Sequence, residues 1–308
     1  MSEVADSAAE GGIRIDGVAI AARVRAGIAS AVQELKSKHN VVPALCVVLV
    51  GERGDSATYV RMKQQAATEC GIECRLERVD AAVSEDELCA RVAAICSDAA
   101  IHGVIVQLPL PAHIDEKRVL DLVPLSKDID GFHPTNMGQV AMRNHSPCFA
   151  PCTPEGVMIL LDECRIPLAG KHAVVLGRSN IVGVPLALMM LKRDATVTIC
   201  HSRTANVQAE VERADIVLAA IGKPRFVKGE WIKPGAVVID VGTNAVPRDA
   251  AKPDAGTKLV GDVEYAAARK RASHITPVPG GVGPMTVATL MRHVLVAARR
   301  AAGLSDDF

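Results

Sequence analysis

Apolar runs of strand length alternate with segments whose apolar residues recur every three to four positions, from near residue 13 to the end of the chain. That alternation predicts parallel sheets covered by helices, an α/β fold. "ALCVVLVG" (44–51) carries no charged position on either face, as a strand buried on both sides requires. The "GDSATYVRMKQQAATECG" that follows reads as a loop and a helix, capped by Asp55 or Ser56 and closed by Gly71. "IECRLERV" alternates like a strand, "SEDELCARVAAIC" opens with Ser84 and Glu87 at capping-box spacing, and "IHGVIVQLPLP" is a buried strand that runs into prolines. Residues from about 126 to 155 are rich in turn formers and poor in periodicity, and read as a passage between domains. Thr153 and Pro154 then form an N-cap and first-turn proline for a helix to about Cys164. "HAVVLG", "ATVTICHS", "DIVLAAIG", "AVVIDVG" and "KLVGDV", with helical segments among them, predict a doubly wound second half.

Composition narrows the classes. A chain of 308 residues, 49% of them hydrophobic, can bury a core in each of two domains. Its 35 basic and 35 acidic residues cancel, no basic stripe is interleaved with aromatics, and one Trp, two Tyr and four Phe leave few stacking platforms, which argues against nucleic acid as a partner. No apolar run reaches the roughly 18 residues of a membrane span. The opening "MSEVADSAAEGG" is acidic and resembles neither a secretory signal nor a mitochondrial leader, so a disordered tail over 1–12 and a cytoplasmic location are expected. Nine cysteines without a CxxC pair fit free thiols in a reducing compartment, and no metal site is expected.

Several residues could carry chemistry. Tyr59 and Lys63 lie four apart in the first predicted helix and so share a face. Taken alone, the pair reads first as a solvated face with a lysine stem over the ring. Gln107 ends a buried strand and Asp130 sits in a loop, both at ligand-facing places, though a satisfied buried amide and an Asx turn explain each one singly. In "KHAVVLGRSNIVGVPLALMML", Gly177 and Gly183 stand between a strand and an apolar helix, where backbone N–H groups and a helix N-terminus can hold a phosphate. The motif is not GxGxxG, and a tight strand-to-helix turn accounts for the two glycines equally well. The next strand ends at His201–Thr204 without the carboxylate that would bind the ribose of NAD; Arg178, Ser202 and Arg203 supply cationic and hydroxyl donors instead, which favours NADP. "PVPGGVGPMT" (277–286) makes poor core and poor helix, and suggests a backbone shaped around a ligand or a hinge.

Taken together and in order, "YVRMK", "VIVQLPLP", "DIDGFHPTN", "GRSNIVGVP", "HSRT", "DVG" and "PGGVGPMT" resemble the bifunctional methylenetetrahydrofolate dehydrogenase/methenyltetrahydrofolate cyclohydrolases, from about Ile13 to the last helix. One departure stands before the "QLPLP" strand, where Cys96 precedes Asp98 in place of the family's usual Asn. The resemblance implies a folate-binding catalytic domain over 13–152 completed by a helix at 284–303, a Rossmann-like NADP-binding domain over 153–283, and an active-site cleft between them. It implies oxidation of 5,10-methylenetetrahydrofolate with NADP⁺ and hydrolysis of the methenyl product to 10-formyltetrahydrofolate. Lys63 would be the catalytic lysine, Gln107 its orienting partner, Tyr59 the ring stacked on the folate, Asp130 the carboxylate on the pterin N–H edge, and Ser56 a member of the lysine's network. Leu108, Pro277, Gly280, Gly281 and Val282 would line the substrate. Gly177, Arg178, Ser179, Ile181, Val182, Gly183, His201, Ser202, Arg203 and Thr243 would meet the dinucleotide. Tetrahydrofolate derivatives as partners and a homodimer formed through the cofactor domain are implied as well.

Three rivals explain less. A different two-domain NADP oxidoreductase, similar to shikimate dehydrogenase, leaves "QLPLP" and "PGGVGPMT" unexplained. A non-catalytic NADP-binding protein has no need of the amine at Lys63. A formate-activating ligase would need a GxxxxGK[ST] loop, which the chain lacks.

Overall fold

A computed structural model of the chain describes residues 11–51, 54–249 and 252–308, apart from the side chains of 54–59, 249 and 252–255. In chain order its first elements are β1 (Ile13–Arg14), α1 (Gly17–His39), β2 (Ala44–Val50), α2 (Gly54–Cys70), β3 (Glu73–Val79), α3 (Glu85–Ser97), β4 (Gly103–Val106), α4 (Glu116–Leu120) and α5 (Pro134–Ala141). There follow α6 (Cys152–Glu163), β5 (His172–Leu176), α7 (Gly183–Lys192), β6 (Thr196–Cys200), α8 (Val207–Glu212), β7 (Ile216–Ala219) and β8 (Val237–Asp240). The chain ends with β9 (Asn244–Asp249), β10 (Lys252–Val260), α9 (Tyr265–Arg269), β11 (His274–Ile275) and α10 (Val282–Ala301). These fall into two units, one of Ala21–Cys152 with Thr286–Phe308, the other of Thr153–Met285 with the segment up to Ile20.

The first unit is built on a parallel sheet in the order β3-β2-β4. Every residue of the central β2 is buried, and the two-residue period of a strand divides it between two cores. Leu45, Val47 and Leu49 join α2 and the α10 residues Leu290, Met291, Val294 and Leu295 on one face. Cys46, Val48 and Val50 meet Leu88, Val92 and Ile95 of α3 and Val119 of α4 on the other. Ser84 caps α3 as its spacing predicts, accepting from the Glu87 N–H at 3.2 Å. Gly71 closes α2 at φ +72, with the Ile72 N–H returning to the Ala67 carbonyl.

The second unit carries a six-stranded parallel sheet ordered β1-β11-β8-β7-β5-β6. β5 lies between β6 and β7, so the connections after it leave to opposite sides and open a crevice at the carboxyl ends, the usual ligand place of such sheets. Val174, Leu176, Val217, Ala219 and Val238 pack one face against Val211 and Ala268 of α8 and α9. Full burial of each such aliphatic side chain contributes about 1.5–3 kcal/mol.

The sheets correct three expectations. "KLVGDV" is not a further parallel strand: Lys258–Val260 pair antiparallel with Asn244–Val246 in a separate β9–β10 hairpin. A catalytic domain beginning at residue 13 would own β1, yet Ile13 and Arg14 pair with His274 and Ile275 and belong to the second unit's sheet. The aperiodic passage near 126–155 contains α5, which Pro134 opens at its first turn with His133 as cap.

Candidate active site

On α2, Val60, Ala66, Ala67 and Cys70 face the first core, and Lys63 falls at the edge of that stripe, half-buried. Its Nζ donates to Gln107 Oε1 at 3.2 Å. Gln107 continues β4 by one residue, its N–H donating to the Val48 carbonyl at 2.9 Å. Its Nε2 donates to the Leu108 carbonyl at 3.1 Å, which leaves the amide oxygen turned to the lysine. Cys74 of β3 feels the same amine: burial raises its thiol pKa and the charge of Lys63 pulls against that. Ser56 and Tyr59 belong to α2, but their side chains lie outside the described residues.

Asp130 is half-buried in the turns between α4 and α5, and its neighbours fix that segment. Asp128, 7% exposed, accepts from the His133 N–H at 2.8 Å, the Phe132 N–H at 3.2 Å and Asn136 Nδ2 at 2.8 Å. Burial raises its pKa and these three donors oppose the rise. The Ile129 carbonyl is met by His293 Nδ1 at 2.7 Å and Cys152 Sγ at 3.2 Å, both from buried side chains. Asp128, Asn136, Cys152 and His293 were not singled out from the sequence. A signal for two of them stood in "DIDGFHPTN", which holds Asp128 and Asn136 beside Asp130.

In the second unit Gly177 follows β5 at φ +118, where a Cβ would run into the Ala220 carbonyl. A Cβ on Gly183, at the start of α7, would meet the Gly177 carbonyl in turn, so this strand-to-helix turn closes only on glycine. Ser179 Oγ accepts from the Val182 and Gly183 N–H groups at 3.2 and 3.3 Å, just ahead of the helix. Arg178, Ser179 and Ile181 are exposed beside it. At the end of β6 the His201 N–H donates to Thr204 Oγ1 at 2.9 Å, and the Arg203 N–H donates to His201 Nδ1 at 3.2 Å. Ser202 and Arg203 are exposed, and no carboxylate stands between 201 and 204. A glycine-closed turn, a helix N-terminus and exposed cationic side chains at the carboxyl end of the sheet fit a phosphate-bearing dinucleotide.

Two further carboxylates support the same edge. Asp262, fully buried, accepts from the Ile221 and Gly222 N–H groups at 2.7 and 3.0 Å and from Asn244 Nδ2 at 2.9 Å, and so fixes the loop after β7. Asp240, 3% exposed, accepts from the Gly242, Asp262 and Val263 N–H groups, and its own N–H donates to Thr276 Oγ1. Thr243 is exposed just beyond it. Pro277 and Gly281 are buried where the loop into α10 turns, Gly280 takes φ +102, and Gly17 of α1 has no room for a Cβ beside the Gly281 carbonyl.

An amine held by an amide in one α/β unit, and a glycine-closed strand-to-helix turn on a doubly wound sheet in the other, are the features of a two-domain dinucleotide-dependent enzyme. Comparison with known proteins makes the assignment particular. The catalytic domain of tetrahydrofolate dehydrogenase/cyclohydrolase matches residues 15–130, and the NAD(P)-binding domain of the same family matches 151–302. Bifunctional protein FolD 2 of Arabidopsis thaliana is 51% identical, over 94% of this chain and 96% of its own. Bifunctional protein FolD 2 of Geobacter metallireducens is 53% identical, over 93% and 96%. The crystal structure of the Trypanosoma brucei methylenetetrahydrofolate dehydrogenase-cyclohydrolase, complexed with NADP and an inhibitor, is 41% identical, with a TM-score of 0.89 over 94% of this chain and 98% of that one. The chain belongs to the tetrahydrofolate dehydrogenase/cyclohydrolase family, the bifunctional enzymes of one-carbon metabolism.

Proposed function

We propose that this dehydrogenase and cyclohydrolase uses NADP, and that Lys63 carries the hydrolytic half of its work. Arg178, Ser202 and Arg203, with no carboxylate from His201 to Thr204, support NADP over NAD, because a 2′-phosphate needs donors where a ribose hydroxyl needs an acceptor. Gly177, Ser179, Ile181, Val182, Gly183 and Thr243 would complete its seat. When bound, NADP⁺ supplies the hydride acceptor for the methylene carbon of the folate. For that step the protein mainly has to align two reactants, which is worth roughly 7–11 kcal/mol.

Hydrolysis asks more of the side chains. Water adds to the cationic methenyl carbon and gives one proton to the Lys63 amine. Its second proton then moves to N5 as the C–N5 bond breaks, leaving the formyl group on N10. A positioned base contributes about 10²–10⁴-fold to such a step. The observation that carries this reading is the Lys63–Gln107 hydrogen bond, which restricts a long, flexible amine to one direction. In this reading Asp130 accepts from the pterin N–H edge, Leu108 and Pro277, Gly280, Gly281 and Val282 line the folate, and Ser56 and Tyr59 keep the roles the resemblance implies.

The test is Lys63→Met, assayed separately for the two reactions. Cyclohydrolase activity should fall by at least about 10²-fold while dehydrogenase activity falls much less; equal residual fractions would remove Lys63 from the hydrolytic step. A homodimer through the second unit is part of the proposal, supported by Ile199 on the edge strand β6 and Leu191 on α7, 41% and 57% exposed. The nine free cysteines support a reducing compartment such as the cytoplasm.

A further inference from the structure

The second unit holds a cavity that neither reaction uses. Its volume is about 250 Å³, and it lies at the amino ends of the parallel strands, beside Lys171 before β5, Ile216 opening β7, Val237 opening β8 and His274 opening β11. The glycine turn at Gly177 follows the other end of β5, and a five-residue strand separates the two places by about 16 Å.

Charge at the cavity is one-sided. Arg165, Lys171 and Lys233 line it against a single carboxylate, Asp215. Asp215 already accepts from Lys233 Nζ at 2.7 Å and from the His172 N–H at 3.0 Å, bonds that hold its pKa below the usual range. Lys171 acts on it only as a more distant charge, and the Arg165 side chain has no hydrogen bond or ion pair among the described residues. Burial keeps the His274 imidazole below its ordinary pKa, so it adds no proton at neutral pH. Three cations less one carboxylate leave two positive charges.

The backbone adds an independent observation. Arg165, two residues past the end of α6, takes φ +53, in the left-handed region, with its N–H on the Asp162 carbonyl and the Ile166 N–H on the Leu161 carbonyl. Glycine is the unstrained choice there, and the other non-glycine residues of positive φ are mostly Asn or Asp. Arg165 lines the cavity from this position although glycine would fit the backbone there more easily.

We propose that this cavity binds a small organic phosphate monoester, the phosphate between Arg165 and Lys171 and the apolar body over Ile166, Ile216 and Val237. Paired guanidinium and ammonium donors suit a dianion. The space equals about eight waters, enough for an ester of roughly ten heavy atoms and too little for a dinucleotide.

Phenyl phosphate titrated calorimetrically into the full chain, with NADP⁺ at saturation, tests this. One site is expected, with phenol giving no binding and with affinity at least about tenfold weaker in an Arg165→Gly/Lys171→Gln variant. Glycine suits φ at 165, and an unchanged dehydrogenase rate in the variant shows that it is folded. Equal affinity in both proteins, or no binding to the wild-type protein once NADP⁺ is present, overturns the proposal. Neither outcome bears on Lys63, whose test is the separate pair of activity assays.

Discussion

Gln107 can offer Lys63 only its oxygen, because its nitrogen is held by the Leu108 carbonyl and its backbone by Val48. A reactive group is thereby aimed by hydrogen bonds that end on the sheet, which places it more tightly than a flexible loop would. Buried carboxylates act in the same way on backbone N–H groups, and Asp240 makes the cost measurable. Burial pushes its carboxyl up to about 7, with three backbone donors pulling the other way. An unfolded Asp titrates near about 3.9, so between those values the native state keeps a proton that the unfolded state has lost. Stability from this group is therefore greatest below about pH 4 and declines until about pH 7. Melting temperatures should fall more steeply with rising pH in the wild-type protein than in Asp240→Asn, which cannot ionise; parallel curves would contradict the assignment. Lys63, Gln107 and Asp130 could be picked out in the sequence because each stands in a short motif, and the structure joins the first two by a hydrogen bond. Asp262 and His293 could not, since partners such as Ile221, Gly222, Asn244 and Ile129 are far from them in sequence and only the folded chain brings them near.

Among the elements, the β5–α7 connection does the most for the site. Gly177 and Gly183 let the turn close on itself, and Ser179 ties it to the start of the helix that follows. Gly183→Ala should drive a methyl group into the Gly177 carbonyl and weaken NADPH binding at least about tenfold, while hydrolysis of added methenyltetrahydrofolate stays near the wild-type rate. Unchanged NADPH affinity, measured by fluorescence titration, would separate the turn from the cofactor. The main strands and α3 could be read directly from apolar runs and caps. Short α4 and α5 could not, having too few turns for a period to show. The β9–β10 hairpin was misread because "KLVGDV" has a strand's composition, and composition does not fix the direction of pairing.

For the molecule as a whole, two parallel sheets divide the work. The first unit carries Lys63 and most of the family's catalytic domain, the second carries the Gly177–Gly183 turn and most of the NAD(P)-binding domain, and β1 shows that sequence order alone does not assign a segment to its unit. The exposed apolar side chains at the β6 edge belong to the same unit as the cofactor turn. Light scattering should give the mass of two chains, and Ile199→Asp should shift it toward one; a single-chain mass for the wild-type protein would contradict the dimer. The most direct test of the account is catalytic. Purified protein is mixed with 5,10-methylenetetrahydrofolate and NADP⁺, or separately NAD⁺, while the reduced dinucleotide and 10-formyltetrahydrofolate are both measured. The account predicts reduction preferring NADP⁺ with formyl product accumulating; binding of NADP⁺ without turnover of either kind would contradict it.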